Sequence, residues 1–131
     1  MKRLSFKSRY KTELIDITSA INEAIIKSGK SAGAVNIFTP HSTCSVFVLE
    51  NRDPNVQRDL LKKLHQLFPN DDQYAHIGKN GDAHLKTAVM GISITIPVES
   101  AKMSLGAWQG VFLADFNGPR ERDVLVTLFD A

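Results

Sequence analysis

A single cysteine in 131 residues excludes an internal disulfide, so no covalent staple holds this chain. Cys44 stands in an apolar run and reads as a small buried hydrophobe before it reads as a reactive thiol. Long hydrophobic runs are missing too. No window approaches the roughly 20 apolar residues of a membrane span. The basic start, Met1 to Lys7, lacks an apolar core of signal-peptide length. A soluble, cytoplasmic protein with no membrane partner is expected. Nor is there an excess of one charge: Lys+Arg 16 against Asp+Glu 14 leaves +2. With no basic stripe interleaved with aromatics, a nucleic-acid partner is not expected. Repeats, linkers and low-complexity segments are absent. What is present is ordinary globular material, 43% hydrophobic and 23% charged. A chain of this length buries roughly two-thirds of its extended surface in one domain.

Periodicity supplies the elements. Leu4 to Tyr10 alternates as a half-buried strand, and Glu13 to Ile17 is a short second one. Thr18 is placed to N-cap a helix carrying Ile21, Ala24 and Ile25, with Gly29 as its stop. Ala34 to Thr39 and Cys44 to Leu49 read as strands around a bend at Pro40-His41. The second is apolar on both faces and is expected at the centre of a sheet. Asp53-Pro54 opens the clearest helix, which carries Val56, Leu60, Leu61, Leu64 and Leu67 and ends at Pro69-Asn70-Asp71-Asp72. Asp82 is expected to cap a short helix, Ala83 to Met90. Ile92 to Val98, Trp108 to Phe116 and Asp123 to Phe129 complete the strands, with Pro97 marking an edge or strand end. Hairpin neighbours dominate, so the class is α+β with a largely antiparallel sheet.

Chemistry gathers at element ends. His65 lies between Leu64 and Leu67 and reads as structural. His41 sits at a strand bend beside Ser42 and Thr43, His76 in a polar loop, and His84 near a helix start. Three converging imidazoles leave a metal position open for water or substrate, and zinc suits them best. Their spacing matches no short zinc motif, and scattered surface histidines are the alternative. Glu50 ends an apolar strand, where a carboxylate needs a partner. It is a general base, an orienter of a histidine, or a partner of Arg52 or Arg58. Gly78-Lys79-Asn80-Gly81-Asp82 precedes a helix and is an anion-loop candidate without the Walker spacing. Arg120 and Arg122 offer forks for phosphate or carboxylate, against the alternative of solvated charges. Trp108, bracketed by Gly106 and Gly110, reads as pocket wall, subunit interface or plain core.

Seven motifs occur in order: His41-Ser42-Thr43, Glu50-Asn51-Arg52-Asp53-Pro54, Tyr74-Ala75-His76, Asp82-Ala83-His84-Leu85-Lys86, Pro97-Val98-Glu99, Leu105-Gly106-Ala107-Trp108-Gln109-Gly110 and Gly118-Pro119-Arg120. Together, from about Leu4 to Leu128, they resemble the YjbQ-like family, small proteins often labelled secondary thiamine-phosphate synthase. The resemblance implies an antiparallel sheet curved as a half-barrel and a homotrimer. It implies that His41, His76 and His84 share a metal pocket with Glu50, Asp82 and Lys86 as catalytic neighbours. Ser42, Thr43, Trp108, Gln109 and Arg120 would then bind a small phosphorylated substrate. The implied reaction joins a hydroxymethylpyrimidine diphosphate to a thiazole phosphate and releases pyrophosphate. Zinc fits the imidazoles, while Mg²⁺ on a diphosphate prefers oxygen ligands. The competing reading is a non-catalytic metal- or anion-binding homotrimer. The chain departs from the family pattern at Ala107 and Ser42, each in place of threonine, at Leu49 in place of asparagine, and at Gly81 in place of alanine.

Overall fold

A computed structural model describes residues 1–71 and 73–131. Its elements run β1 (Lys2–Lys7), β2 (Glu13–Asp16), α1 (Thr18–Ser28), β3 (Gly33–Phe38), β4 (Cys44–Glu50), α2 (Pro54–Leu67), α3 (Gly81–Met90), β5 (Ser93–Glu99), β6 (Lys102–Met103), β7 (Gln109–Asp115) and β8 (Glu121–Phe129). The strands form two antiparallel sheets, β1-β8-β3-β5-β6 and β2-β7-β4, curled as a half-barrel. This is the α+β architecture expected.

In the smaller sheet β7 and the first half of β4 are buried on both faces because they are apolar on both. Along β7, Val111 and Leu113 join the core made with α1 and the larger sheet. The alternate residues Phe112 and Ala114, with Phe116 beyond the strand, pack with Leu64 of α2 and Ala83 of α3. In β4, Cys44 and Val46 face the first cluster and Phe47 the second. Its apolar run therefore has the predicted burial but not the predicted place. β7 is the central strand, β4 pairs only with β7, and α3 lies beside β4, with the Val46 N–H donating to the Gly91 carbonyl at 3.3 Å.

Local chemistry explains the helix ends. Asp53 accepts from the Asn55 N–H at 3.0 Å, and Pro54 occupies the first turn, as predicted. The Phe68 N–H closes α2 on the Leu64 carbonyl, and Pro69 follows; Asp72, expected in that terminator, lies outside the described residues. Gly29 ends α1 at φ 79°, where a Cβ would be strained.

Two expected caps are displaced. Thr18 is already helical, and Asp16 accepts from both its N–H (3.0 Å) and its hydroxyl (2.6 Å). The Thr18 hydroxyl in turn accepts from the Val111 N–H, tying α1 to β7. Asp82 lies one residue inside α3, whose cap position is Asn80. Its carboxylate is spent on Lys86 instead.

Strand bounds move by one to three residues. β1 begins at Lys2 and stops at Lys7, just before Ser8, whose N–H still donates to the Arg120 carbonyl. β8 begins at Glu121, since Glu121 and Arg122 already pair with Lys7 and Phe6. The two-residue β6 was invisible to periodicity. Pro97 sits inside β5, which has β3 along one side and only β6 on the other.

Candidate functional site

Four residues that sequence reasoning did not connect form a buried polar knot where β4 begins and β7 ends. Arg122 donates from Nε (3.0 Å) and Nη2 (2.8 Å) to the two oxygens of Asp115, and from Nη2 to Thr43 Oγ1 at 2.8 Å. Ser8 Oγ donates to Asp115 at 2.6 Å and accepts from the Arg120 N–H. Gly118 is needed beside it, because a side chain there would collide with Ser8 Oγ and the Tyr10 carbonyl. Burial pushes the Asp115 carboxyl upward, but hydrogen bonds from Arg122, Ser8 and the Asn117 N–H outweigh it and hold its pKa below the usual range. The same burial pushes the neighbouring Cys44 thiol up to about 12, so it stays protonated and unreactive. Arg122 is thus an internal partner and not a free fork, and Thr43 serves Arg122. An acid in the apolar stretch Val111–Phe116 was the signal available for this knot.

Above the knot lies a groove of about 540 Å³ between the β3–β4 bend and α3. Phe38, Pro40, His41, Ser42, His84 and Thr87 line it, with Ile92 at its edge. His41 is half-buried, and its Nε2 accepts the Asp123 N–H at 2.9 Å. Only the neutral ring accepts there, with the proton on Nδ1. Burial first, and the Arg122 charge second, lower its pKa below the ordinary histidine value; Asp123 and Asp115 oppose this, and Arg120 adds to it. Arg120 is near enough to act on His41, while its hydrogen bonds to Ser8 run through the backbone and leave the guanidinium exposed. Thr87 is 4% exposed, and its Oγ1 is a buried side-chain oxygen without a hydrogen-bond partner.

His84 also borders a second depression, of about 310 Å³, with Tyr74 and His76. The His76 and His84 rings meet edge to face with centroids 5.0 Å apart. His76 Nε2 lies 2.8 Å from Asn80 Oδ1, so that nitrogen carries the proton. The structure brings His84 to both partners but does not bring His41, His76 and His84 to one point. Among the described residues no three His, Cys, Asp or Glu side chains are grouped to hold a metal ion.

The other expected site residues lie elsewhere. Asp82 and Lys86 occupy the opposite face of α3 from His84 and are buried there as an ion pair of 2.7 Å. Burial raises the Asp82 pKa, but hydrogen bonds from Lys86 and Asn70 bring it below the usual value. This carboxylate fills the first turn of the anion-loop candidate, and the Tyr74 ring packs against Gly81.

Glu50 pairs in register with Gln109 at the far end of β4. It accepts from the backbone N–H groups of Arg52 (3.0 Å) and Asp53 (2.9 Å), closing the turn into α2. Gln109 folds back onto the Gly106 N–H. Trp108 is 56% exposed with the Arg52 guanidinium 5.1 Å from its ring, which excludes the plain core reading. His65 is exposed on α2.

Similar proteins share this fold. A UPF0047 protein of Methanocaldococcus jannaschii is 39% identical over 130 residues, covering 96% of this chain and 94% of its own. The crystal structure of an uncharacterized conserved YjbQ/UPF0047-family protein from Clostridium acetobutylicum superposes with a TM-score of 0.95 at 39% identity, over 98% of this chain and 100% of that one. A YbjQ-like protein of unknown function from Sulfolobus solfataricus gives 0.94 at 28% identity, over 99% and 96%. The family pattern described as UPF0047 protein YjbQ-like matches residues 2–131, so the ordered motifs, the knot and the groove are those of a chain that belongs to the YjbQ-like UPF0047 family.

Proposed function

We propose that this chain is an enzyme acting on a small phosphorylated substrate held in the His41–His84 groove, with thiamine-phosphate synthesis as the reaction its family resemblance favours. The observation that carries the reading is Thr87 Oγ1. An unpaired buried hydroxyl costs roughly 1–3 kcal/mol, and this one belongs to a residue lining an open groove that also carries His41, Ser42 and His84. Rotation of the Thr87 side chain would present this hydroxyl to a ligand oxygen or ring nitrogen in the groove. Phe38 and Ile92 offer apolar walls to a ring, while Arg120 and the Ser42 hydroxyl offer donors to phosphate oxygens. A neutral His41, its Nε2 held by Asp123, keeps its Nδ1–H as a further donor.

The imidazoles as arranged do not fit a three-histidine metal, because the three rings do not meet at one point and the lone-pair nitrogen of His41, Nε2, already accepts the Asp123 N–H. No step is therefore routed through a metal. Zinc or Mg²⁺ dependence is a proposal resting on the resemblance, decided by metal analysis of untagged protein. A cytoplasmic location belongs to the same proposal.

The test supplies both substrate halves, the pyrimidine diphosphate and the thiazole phosphate, and measures thiamine phosphate. Product should form with the parent protein. It should fall about 10- to 100-fold in His41→Ala, the cost of one hydrogen bond to a charged group. Undiminished product in that variant would exclude this groove.

A second reading, a non-catalytic metal- or anion-binding homotrimer, is favoured by the apolar row beside the groove. Leu85 and Val89 on α3, with Ile92 just beyond, are 40%, 63% and 40% exposed. Sedimentation with and without chelator separates the readings: a metal-held trimer dissociates when its metal is removed.

A further inference from the structure

On the other face of α3 lies a second cavity of about 290 Å³, between α2, the β1–β2 connection and the end of β7. Leu64 and Phe116 supply its apolar floor. Thr12, Lys62, His65 and Lys86 supply its polar groups. Every side chain in this polar set donates hydrogen bonds, and none is acidic.

Lys86 is the unusual member. It is 4% exposed, and lysines are almost never so buried unless paired. Among the described residues its hydrogen-bond partner is Asp82, at 2.7 Å from Nζ. An ammonium group has three donors, and the ion pair uses one of them. The other Asp82 oxygen accepts from Asn70 at 3.0 Å. Lys11 stands close enough to Asp82 to stabilise its charge as well. Counting Lys11, Lys62 and Lys86 against Asp82, the described surroundings carry surplus positive charge, and no acidic side chain among the described residues lines the cavity. An ion pair with no further task would serve stability less well than apolar residues of similar volume.

We propose that this cavity is a binding site for a small organic carboxylate, with its carboxyl group on Lys86 and its apolar body on Leu64 and Phe116. A carboxylate has two oxygens on one end, matching the Lys86 ammonium and the Thr12 hydroxyl that line the same cavity. A phosphate dianion spreads its oxygens in four directions and would press some of them against Leu64 and Phe116, which can donate nothing. The site is separate from the His41–His84 groove, across the thickness of α3, and does not depend on the function proposed there.

The experiment titrates isotope-labelled full chain with 3-methylbutanoate and with benzoate, following amide and methyl NMR signals, with inorganic phosphate as control. Saturable shifts are expected at Thr12, Leu64, Lys86 and Phe116 for at least one acid at millimolar concentration. Lys86→Met alone strands Asp82 in the interior, so the test variant is Asp82→Asn/Lys86→Met, which removes both charges and keeps the volume. It should weaken binding at least about tenfold, the equivalent of 1.4 kcal/mol, while His84→Ala leaves binding unchanged. The proposal is overturned by no saturable shift with either acid, by shifts centred on His41 and His84, by undiminished binding in the folded double variant, or by phosphate binding equally well.

Discussion

The two ends of the β4–β7 ribbon carry motifs of equal prominence in the sequence and opposite physics in the structure. At the end where β4 begins, Thr43, Asp115, Arg122 and Ser8 are all buried, and the two charges satisfy one another. At the end where it finishes, Glu50, Arg52, Trp108 and Gln109 reach toward solvent and bond to their own turns. Seven residues of β4 separate them, which at about 3.3 Å each is roughly 20 Å. One end is a fixed support beneath a groove lined by a residue with an unmet hydroxyl. The other is a surface. A residue in a distinctive motif can therefore be structural ballast or display, and burial with partner count tells which.

The largest effect that would break this contrast is at Asp115. Asp115→Ala leaves Arg122 buried without its counter-charge, and unfolding by urea should show a loss of about 3–5 kcal/mol. Replacing both, as Asp115→Leu/Arg122→Met, should recover most of it, since an apolar pair of similar volume needs no counter-charge. A single variant as stable as the parent would mean that water reaches the knot.

Acid should reach the same end next. The folded Asp115 carboxyl lies below its unfolded value near 3.9. Its contribution is present above about pH 4 and is lost as pH falls through the folded pKa. His41 acts in a higher window with the same sense. Its folded pKa is depressed below about 6.5, so the unfolded chain binds the proton more readily and stability falls as pH drops from about 6.5 toward the folded value. His41→Gln keeps an acceptor for the Asp123 N–H and cannot charge. Its urea midpoint should vary less between pH 7 and pH 5 than that of the parent. Identical slopes would show that His41 does not titrate differently on folding.

Most of the fold was legible because the signals were local. Asp53-Pro54 and Gly29 act through their own backbone neighbours, and the alternation of β5 or β7 is a property of the strand itself. What was not legible is relational. The apolar run of β4 announces burial, yet whether α3 or another strand covers it depends on residues some forty positions later. The same holds for the site. His84 and Lys86 are two residues apart in one motif and point to opposite sides of one helix. Glu50 follows His41 by nine positions and stands at the other end of a strand. The resemblance placed them in one pocket because motif order carries no distance. Thr87 gave no signal beyond lying three residues after His84, since an orphaned hydroxyl exists only once its surroundings are built. Cys44 was read correctly from its apolar neighbours alone, because burial was the whole of its chemistry.

The smallest effects belong to the open end, and they sharpen the comparison from the other side. Trp108→Ala removes an exposed ring and its contact with Arg52. An exposed cation–π pair is worth about 0.5–1 kcal/mol, so the urea midpoint should hardly move. Glu50→Gln keeps an oxygen for the Arg52 and Asp53 N–H groups but removes the charge that strengthens them. Its cost should also stay within about 1 kcal/mol, because both groups can turn to water. Measured alone, each variant should leave thiamine-phosphate formation and binding at the His41–His84 groove unchanged in the isolated chain, given the length of β4 between them. If Trp108→Ala instead abolishes activity while leaving folding intact, the two ends meet in the working molecule. One protomer cannot fold them together across a rigid ribbon, so the meeting would have to be between protomers. Sedimentation of that variant against the parent then decides whether the lost activity follows lost assembly.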